Sequence, residues 1–217
     1  MATVFRPLHS GTQMSDEEFV AFLATRSREE RWQLIDGDAI MMNPPKLRHQ
    51  KIGGNLARAL NDIFERYHPN LSALQEIGLI VPGVKRFRPT ADVAVIDDSV
   101  DLDTSWADRF HLVAEVLSDS NTPRQIERKR KRYTQHPLNH YVLVIAQLEA
   151  RVEVFARGSG WRPQVLTHLD DVIELPDLAT GSGTGPAGDV GRVHQISIPL
   201  RRLYAGTSVA RRDPLGA

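Results

Sequence analysis

The chain contains a short apolar run that is interrupted by one carboxylate. Residues 112–117 read L-V-A-E-V-L, with Glu115 in the middle of the run. A run of this length and composition predicts a β-strand that is covered on both faces. Because glutamate is seldom fully buried without a partner, Glu115 requires one, and a metal ion or a lysine are the obvious choices.

A basic segment after this strand offers a lysine. Pro123 suits the first turn of a helix, with Thr122 as the N-cap. In that helix Ile126, Lys129, Arg130 and Tyr133 are spaced i, i+3, i+4 and i+7 and share one side. The spacing predicts that Lys129 turns toward the sheet, while an exposed, charged face explains Arg128, Lys131 and Arg132.

A second carboxylate lies near the start of another apolar strand. Residues 91–96 read A-D-V-A-V-I, and Asp92 is their only acid. If the two strands pair, Asp92 and Glu115 come close together and repel, and a divalent cation relieves that repulsion. Hard oxygen ligands suit magnesium or manganese, and a nearby lysine can orient a water or steady a phosphate.

The order of Asp92, Glu115 and then a lysine resembles the PD-(D/E)XK nuclease superfamily. The lysine usually stands two residues after the glutamate, where this chain has Leu117, but one branch moves it onto the following helix. The chain resembles that branch, the Uma-two family of restriction endonucleases, over roughly residues 14–204. The most specific match is E-V-L-S at 115–118 with Lys129 and Tyr133 at family spacing. Further matches are W-Q-L-I-D-G-D-A-I at 32–40, P-P at 44–45 with R-H-Q at 48–50, A-D-V-A-V-I at 91–96 and H-Y-V-L-V at 140–144.

The resemblance implies both a fold and an activity. The fold is α/β, with a restriction-endonuclease-like mixed central sheet flanked by helices and additional β-hairpins. The activity is endonucleolytic hydrolysis of phosphodiester bonds in DNA or RNA. By family analogy Mg²⁺ (or Mn²⁺) is held by Asp92, Glu115 and the backbone carbonyl of Val116. Lys129, the third catalytic residue, polarises the attacking water.

Two positions depart from the family pattern. Gln33 stands where an acid is common in the opening hairpin, and Gln125 stands where an aspartate usually precedes the lysine by four residues. Losing two acids leaves fewer carboxylates for a metal ion. Two alternatives therefore stay open: an inactive nuclease-fold module that binds nucleic acid or a protein partner, and a metal hydrolase acting on a small phosphate ester.

Several residues are candidates for substrate contact. His49 falls on the apolar stripe of a helix predicted from residue 50 to 67, one step before Ile52. It is either a capping or core histidine or a contact to substrate or metal-bound water. Three basic residues precede the Asp92 strand: Lys85, Arg86 and Arg88. A solvated loop is the commoner explanation for these charges, and contact with the phosphate backbone of a nucleic acid is the functional one. Tyr133 completes the predicted substrate-binding set.

Length and composition set the remaining limits. The 217 residues suit one domain over 14–204, with an N-terminal extension at 1–13, a flexible Gly-rich loop at 179–193 and a flexible tail at 205–217. Basic and acidic residues both number 27, so the formal net charge is zero. Attraction to nucleic acid, for which DNA is expected rather than RNA, must therefore come from local basic patches. Absence of cysteine excludes disulfides, thiolate zinc sites and a cysteine nucleophile.

The sequence also bears on location and assembly. No apolar run reaches the length of a membrane span, which predicts a cytoplasmic protein without a membrane partner. A homodimer is among the assemblies compatible with this assignment.

Overall fold

A seven-stranded mixed sheet runs through the centre of the molecule. The structure is a computed structural model that describes residues 13–118, 122–180 and 195–211. In sheet order the strands are Pro163–Leu166 (β10), Val152–Ala156 (β9), Tyr141–Ile145 (β8), Leu112–Val116 (β7), Thr90–Asp97 (β5), Leu71–Leu79 (β3) and Trp106–Ala107 (β6). The pairs β7–β8 and β3–β6 are parallel, and the other neighbours are antiparallel.

Helices and two smaller sheets surround this sheet. The helices are Asp16–Ala24 (α1), Leu47–Tyr67 (α2), Pro123–Tyr133 (α3), Leu200–Leu203 (α4) and Ser208–Arg211 (α5). One small sheet pairs Asp38–Met41 (β2), Trp32–Ile35 (β1) and Phe87–Arg88 (β4), and the other pairs Val172–Glu174 (β11) with Ser197–Pro199 (β12). Single turns of 3-10 helix occur at Arg157–Ser159 and Pro176–Thr180. The predicted α/β architecture with additional hairpins is confirmed.

Two apolar layers cover the two faces of the central sheet. On one face, α2 buries Ile52, Leu56 and Leu60 against strand residues that include Val93 and Val95. The other face is covered by α3 and by the small sheet of β1, β2 and β4. Because both faces are covered, a polar side chain that points from the sheet near α3 is removed from water and needs a partner.

Helix α3 contributes only one stripe to the core, as its spacing predicts. Its buried residues are Ile126, Lys129 and Tyr133. Thr122 is the N-cap and forms a capping box with Gln125: the Gln125 backbone N–H donates to the Thr122 hydroxyl, and the Gln125 amide oxygen accepts from the Thr122 backbone N–H. The cap fixes where the helix begins, and so fixes the rotation that turns Lys129 inward.

The β1–β2 hairpin is docked on α3 by ion pairs. Its turn carries Asp36 and Gly37, which have φ values of 51° and 90°, as a two-residue Asp-Gly hairpin turn requires. Asp36 accepts from Arg132 at 2.8 Å and pairs with Arg128 at 3.3 Å, and Arg128 also lies 3.6 Å from Asp38. Arg128 and Arg132, which were expected on an exposed basic face, keep 34% and 37% of their side chains exposed but are paired with the acidic turn of the hairpin.

Element boundaries differ from the predictions in two places. Helix α2 begins at Leu47 rather than residue 50, because only Lys46 keeps an extended backbone after the two prolines, so His49 lies in its first turn. The predicted tail is partly ordered, since Ser208–Arg211 is helical and buries Val209. Residues 1–12 of the extension, 181–193 of the Gly-rich loop and 212–217 of the tail lie outside the described residues. None of the helices in the described ranges combines the length and apolarity of a membrane span.

Candidate active site

Strands β5 and β7 separate where their two acids meet. Their last backbone pair at this end is Val93 with Ala114, so the next residues along the ladder, Asp92 and Glu115, stand opposite each other. The Asp92 carboxylate accepts a hydrogen bond from the Val116 backbone N–H at 2.6 Å. The two strands therefore pair, which is the condition for bringing the two acids together, and they place both acids where the regular ladder ends.

Glu115 obtains two hydrogen-bond donors from α3. The Lys129 ammonium lies 2.7 Å from each carboxylate oxygen, and the Tyr133 hydroxyl donates at 2.8 Å. Lys129 also donates to the Thr90 carbonyl at 2.8 Å. Glu115 and Lys129 are 4% and 5% exposed, so this ion pair is almost completely removed from water. The partner that the sequence requires for Glu115 is therefore the lysine of the stripe.

Burial controls the ionisation of this cluster. Burial raises the pKa of the Glu115 carboxyl to about 6, with a further contribution from the Asp92 charge, although Lys129 and Tyr133 act in the opposite direction. Burial and the Glu115 charge raise the pKa of Tyr133 well above 10. Tyr133 is thus a neutral donor at physiological pH, and its hydroxyl contacts Glu115 rather than the surface where a substrate contact was expected.

The raised pKa of Glu115 predicts a pH dependence of stability. Between the ordinary pKa of 4.5 and the folded value of about 6, the folded state holds the Glu115 proton more tightly than the unfolded state. The contribution of Glu115 to the free energy of unfolding should therefore fall by roughly 2 kcal/mol as pH rises through this window. Urea unfolding of wild type and Glu115→Gln at several pH values across this window measures the fall as a pH-dependent difference between their free energies of unfolding. A difference that stays constant with pH would contradict it.

His49 joins the cluster from the first turn of α2. Its Nε2 lies 3.0 Å from an Asp92 oxygen, so Asp92 is held between a ring nitrogen and the Val116 N–H. Burial opposes the charged imidazole, but the hydrogen bond and charge of Asp92 prevail and raise the pKa of His49. The other ring nitrogen, Nδ1, is buried and has no hydrogen-bond partner among the described residues. His49 is therefore a neighbour of the carboxylates and not a remote core histidine.

Two of the three basic residues before the Asp92 strand have side-chain hydrogen-bond partners. Lys85 is exposed, but the Arg86 guanidinium donates to the Gln13 side chain at 2.7 Å. Arg88 donates to Asp16 at 3.2 Å. Phosphate contacts from these two arginines would have to compete with partners in and before α1.

The two glutamines that depart from the family pattern have different surroundings. The Gln33 amide oxygen lies 3.5 Å from the Thr90 backbone nitrogen, and Thr90 also holds Lys129 through its carbonyl. Gln33 therefore borders the site. The Gln125 side chain instead completes the helix cap, a role that the spacing from Thr122 to Gln125 already signals in the sequence.

One further carboxylate at the site was not anticipated. The register of β3 and β5 pairs Gln75 with Val93 and Ile77 with Ala91, which places Glu76 opposite Asp92. Glu76 has a φ of 52°, in the left-handed region that is uncommon for residues other than glycine. A glutamate in a polar stretch of strand carries no sequence signal that distinguishes it, and only the register shows its position.

The carboxylates can be tested for their fit to a divalent cation. In the described ranges no three His, Cys, Asp or Glu side chains are grouped closely enough to form a metal site on their own. Magnesium, however, is commonly bound by one or two carboxylates and keeps several waters. Asp92 and Glu115 supply hard oxygens of this kind at a point where the strands separate, so the donor set is of the type that suits Mg²⁺ or Mn²⁺.

A solved structure has a similar fold. It is described as a "putative nuclease belonging to DUF820" from Anabaena variabilis, is 14% identical and superposes with a TM-score of 0.65. The alignment covers 88% of this chain and 97% of that one. At this identity the likeness shows the fold alone.

The family is shown by the sequence itself. Among curated proteins, none matches the chain significantly. A family model described as "Putative restriction endonuclease" matches residues 16–184, which include Asp92, Glu115 and Lys129. The chain is therefore a member of the Uma-two family of nucleases.

Proposed function

We propose that the protein is a metal-dependent endonuclease that hydrolyses phosphodiester bonds in DNA or RNA. The observation that carries this proposal is the Lys129 ammonium, which is fixed between the Glu115 carboxylate and the Thr90 carbonyl beside Asp92. A buried lysine held this closely to paired strand carboxylates is costly to maintain for stability alone. Membership of a nuclease family supports phosphodiester hydrolysis as the reaction.

Asp92 and Glu115 would hold the cation, with the backbone carbonyl of Val116 as a third ligand. When bound, Mg²⁺ or Mn²⁺ would stabilise negative charge at phosphorus and lower the pKa of a water. The existing hydrogen bonds pre-orient both carboxylates: Asp92 accepts from Val116 and His49, and Glu115 accepts from Tyr133 and Lys129. Such outer contacts fix the direction of the ligand oxygens.

Lys129 would act on the water that attacks phosphorus. In that step an oxygen–phosphorus bond would form between the water and the phosphate as the bond to the leaving sugar oxygen breaks; the water would release one proton to solvent, and the leaving oxygen would take one up from solvent. An ammonium that remains bound to Glu115 can orient the water or neutralise a non-bridging phosphate oxygen. His49, on the other side of Asp92, would contact the substrate or a water at the mouth of the site. Tyr133 would hold Glu115 and not touch the substrate.

The proposal predicts the effect of removing one carboxylate charge. Asp92→Asn keeps the size of the side chain but should weaken manganese binding by roughly 10–100-fold or more and abolish magnesium-dependent cleavage. Isothermal calorimetry with manganese and a plasmid-nicking assay, with EDTA as the blank, provide the two measurements. Asp98→Asn, an exposed acid just after the same strand, is the matched control. Equal manganese affinity in wild type and Asp92→Asn would reject the site.

A nuclease-fold module without activity is the second candidate. Gln33 favours it, because this side chain borders Thr90 at the site and carries an amide where the family commonly has an acid. The two candidates differ in one measurement. The module would bind oligonucleotides or a protein partner but leave DNA and RNA intact with magnesium or manganese present.

A further inference from the structure

Three carboxylates stand in one row across the central sheet. The register of the neighbouring pairs places Glu76 of β3 opposite Asp92 of β5, and Asp92 opposite Glu115 of β7, at positions where the regular pairing of both ladders is interrupted. The charge of Glu76 also contributes to the raised pKa of His49, which places it within electrostatic range of the site. Glu76 therefore forms the outer end of the row.

An arginine is held against this outer end. Arg31 Nη2 lies 2.6 Å from Glu76 Oε2, with the arginine side chain 50% exposed. Arg31 immediately precedes β1, two residues before Gln33, and side chains two residues apart in an extended strand point to the same side. The Gln33 contact to Thr90 and the Arg31 contact to Glu76 thus fix the start of β1 along the edge of the site at two independent points.

This arrangement leaves Arg31 able to bind a phosphate group. A guanidinium has five N–H donors in a planar fork, and one carboxylate oxygen engages only part of them. Half of the side chain faces solvent, so the remaining donors are accessible. A nucleic-acid strand approaching a row of carboxylates is repelled, and a fixed cation at the end of the row offsets that repulsion for one phosphate.

We infer that Arg31 binds a backbone phosphate of the substrate strand next to the scissile one, and that Glu76 is the positioning residue that holds its guanidinium there. This inference rests on the proposed nuclease function. It assigns one substrate contact to the residue that immediately precedes the opening hairpin.

A purely structural ion pair predicts different results. If Arg31 only neutralises Glu76, its loss should change thermal stability and manganese affinity but leave oligonucleotide binding as it was. If Arg31 binds a phosphate, its loss should weaken binding at every sequence and reduce the dependence of affinity on salt.

The test measures binding of fluorescein-labelled duplex and single-stranded DNA, and of RNA of the same sequence, by anisotropy with calcium in place of magnesium. Salt is varied from about 50 to 200 mM. Arg31→Gln is expected to weaken binding roughly tenfold and to lower the slope of log affinity against log salt by about one. Arg31→Lys should retain the wild-type slope because it retains the charge. Arg201→Gln is the matched control, since Arg201 is 44% exposed and pairs with Asp170 at 2.8 Å.

Each outcome supports or overturns the inference. Arg31→Gln with wild-type affinity and slope, or an equal loss in Arg201→Gln, overturns it while the nuclease proposal stands. Wild type that neither binds nor cleaves any of these nucleic acids overturns the proposed function, and the role of Arg31 with it. Circular dichroism and manganese calorimetry on Arg31→Gln are expected to match wild type; a loss of manganese affinity without a change in salt slope would assign Arg31 to the structural ion pair.

Discussion

Lys129→Met is expected to reduce magnesium-dependent cleavage by at least roughly 10²–10³-fold. The physical reason is the position of the ammonium, which Glu115 and the Thr90 carbonyl fix beside the two carboxylates. Methionine keeps much of the apolar length of the side chain but cannot donate to a water or a phosphate oxygen. Manganese binding should be retained, because Lys129 is not a ligand of the proposed cation and its loss removes no oxygen from the site.

The measurement is single-turnover cleavage of labelled DNA at saturating metal. Lys131→Met is the matched control, because Lys131 is a lysine of the same helix whose side chain is 66% exposed. Circular dichroism checks folding, and a metal-free incubation sets the background. Full activity in Lys129→Met would show that the ammonium takes no part in the reaction.

Breaking the Glu115–Lys129 pair from one side should destabilise the fold by about 3–5 kcal/mol. The pair is almost completely buried, so either single substitution leaves a charge or a donor in an apolar layer. Neutralising both partners, in Glu115→Gln with Lys129→Met, removes that penalty. The double variant is therefore expected to be nearer to wild type in stability than either single variant.

A double-mutant cycle by urea unfolding measures this coupling directly. The coupling energy should be well above 1 kcal/mol, since the two groups are in contact and removed from water. Single variants whose free energies of unfolding each lie within about 1 kcal/mol of wild type would show instead that the pair is hydrated. The cycle also separates stability from catalysis, because a stable double variant without cleavage activity isolates the chemical role of the pair.

Local patterns correctly predicted the buried strand that carries Glu115 and the inward position of Lys129. An apolar run with one acid predicted a buried strand, and helical spacing predicted that Lys129 turns inward. Both are properties of a single element, in which the period of the residues decides which side is buried. The sequence left open whether the Asp92 and Glu115 strands pair, and the register shows that they do.

Long-range contacts explain what the sequence did not show. Arg128 and Arg132 appeared to be solvent-facing on α3, but the hairpin turn at Asp36, distant in the chain, pairs with both. Glu76 lies in a polar part of β3, where nothing local distinguishes it from its neighbours; only its register against Asp92 places it at the site. Tyr133 was correctly placed on the buried stripe, yet its contact to Glu115 depends on the rotation of α3 over the sheet.

The function of this fold depends on whether its two strand acids hold a cation. A crystal soaked in manganese and measured near the manganese absorption edge tests this directly. The account predicts an anomalous difference peak between the carboxylates of Asp92 and Glu115, lost in Asp92→Asn. Well-ordered carboxylates with no peak between them at saturating manganese would contradict the assignment of this protein as a metal-dependent nuclease.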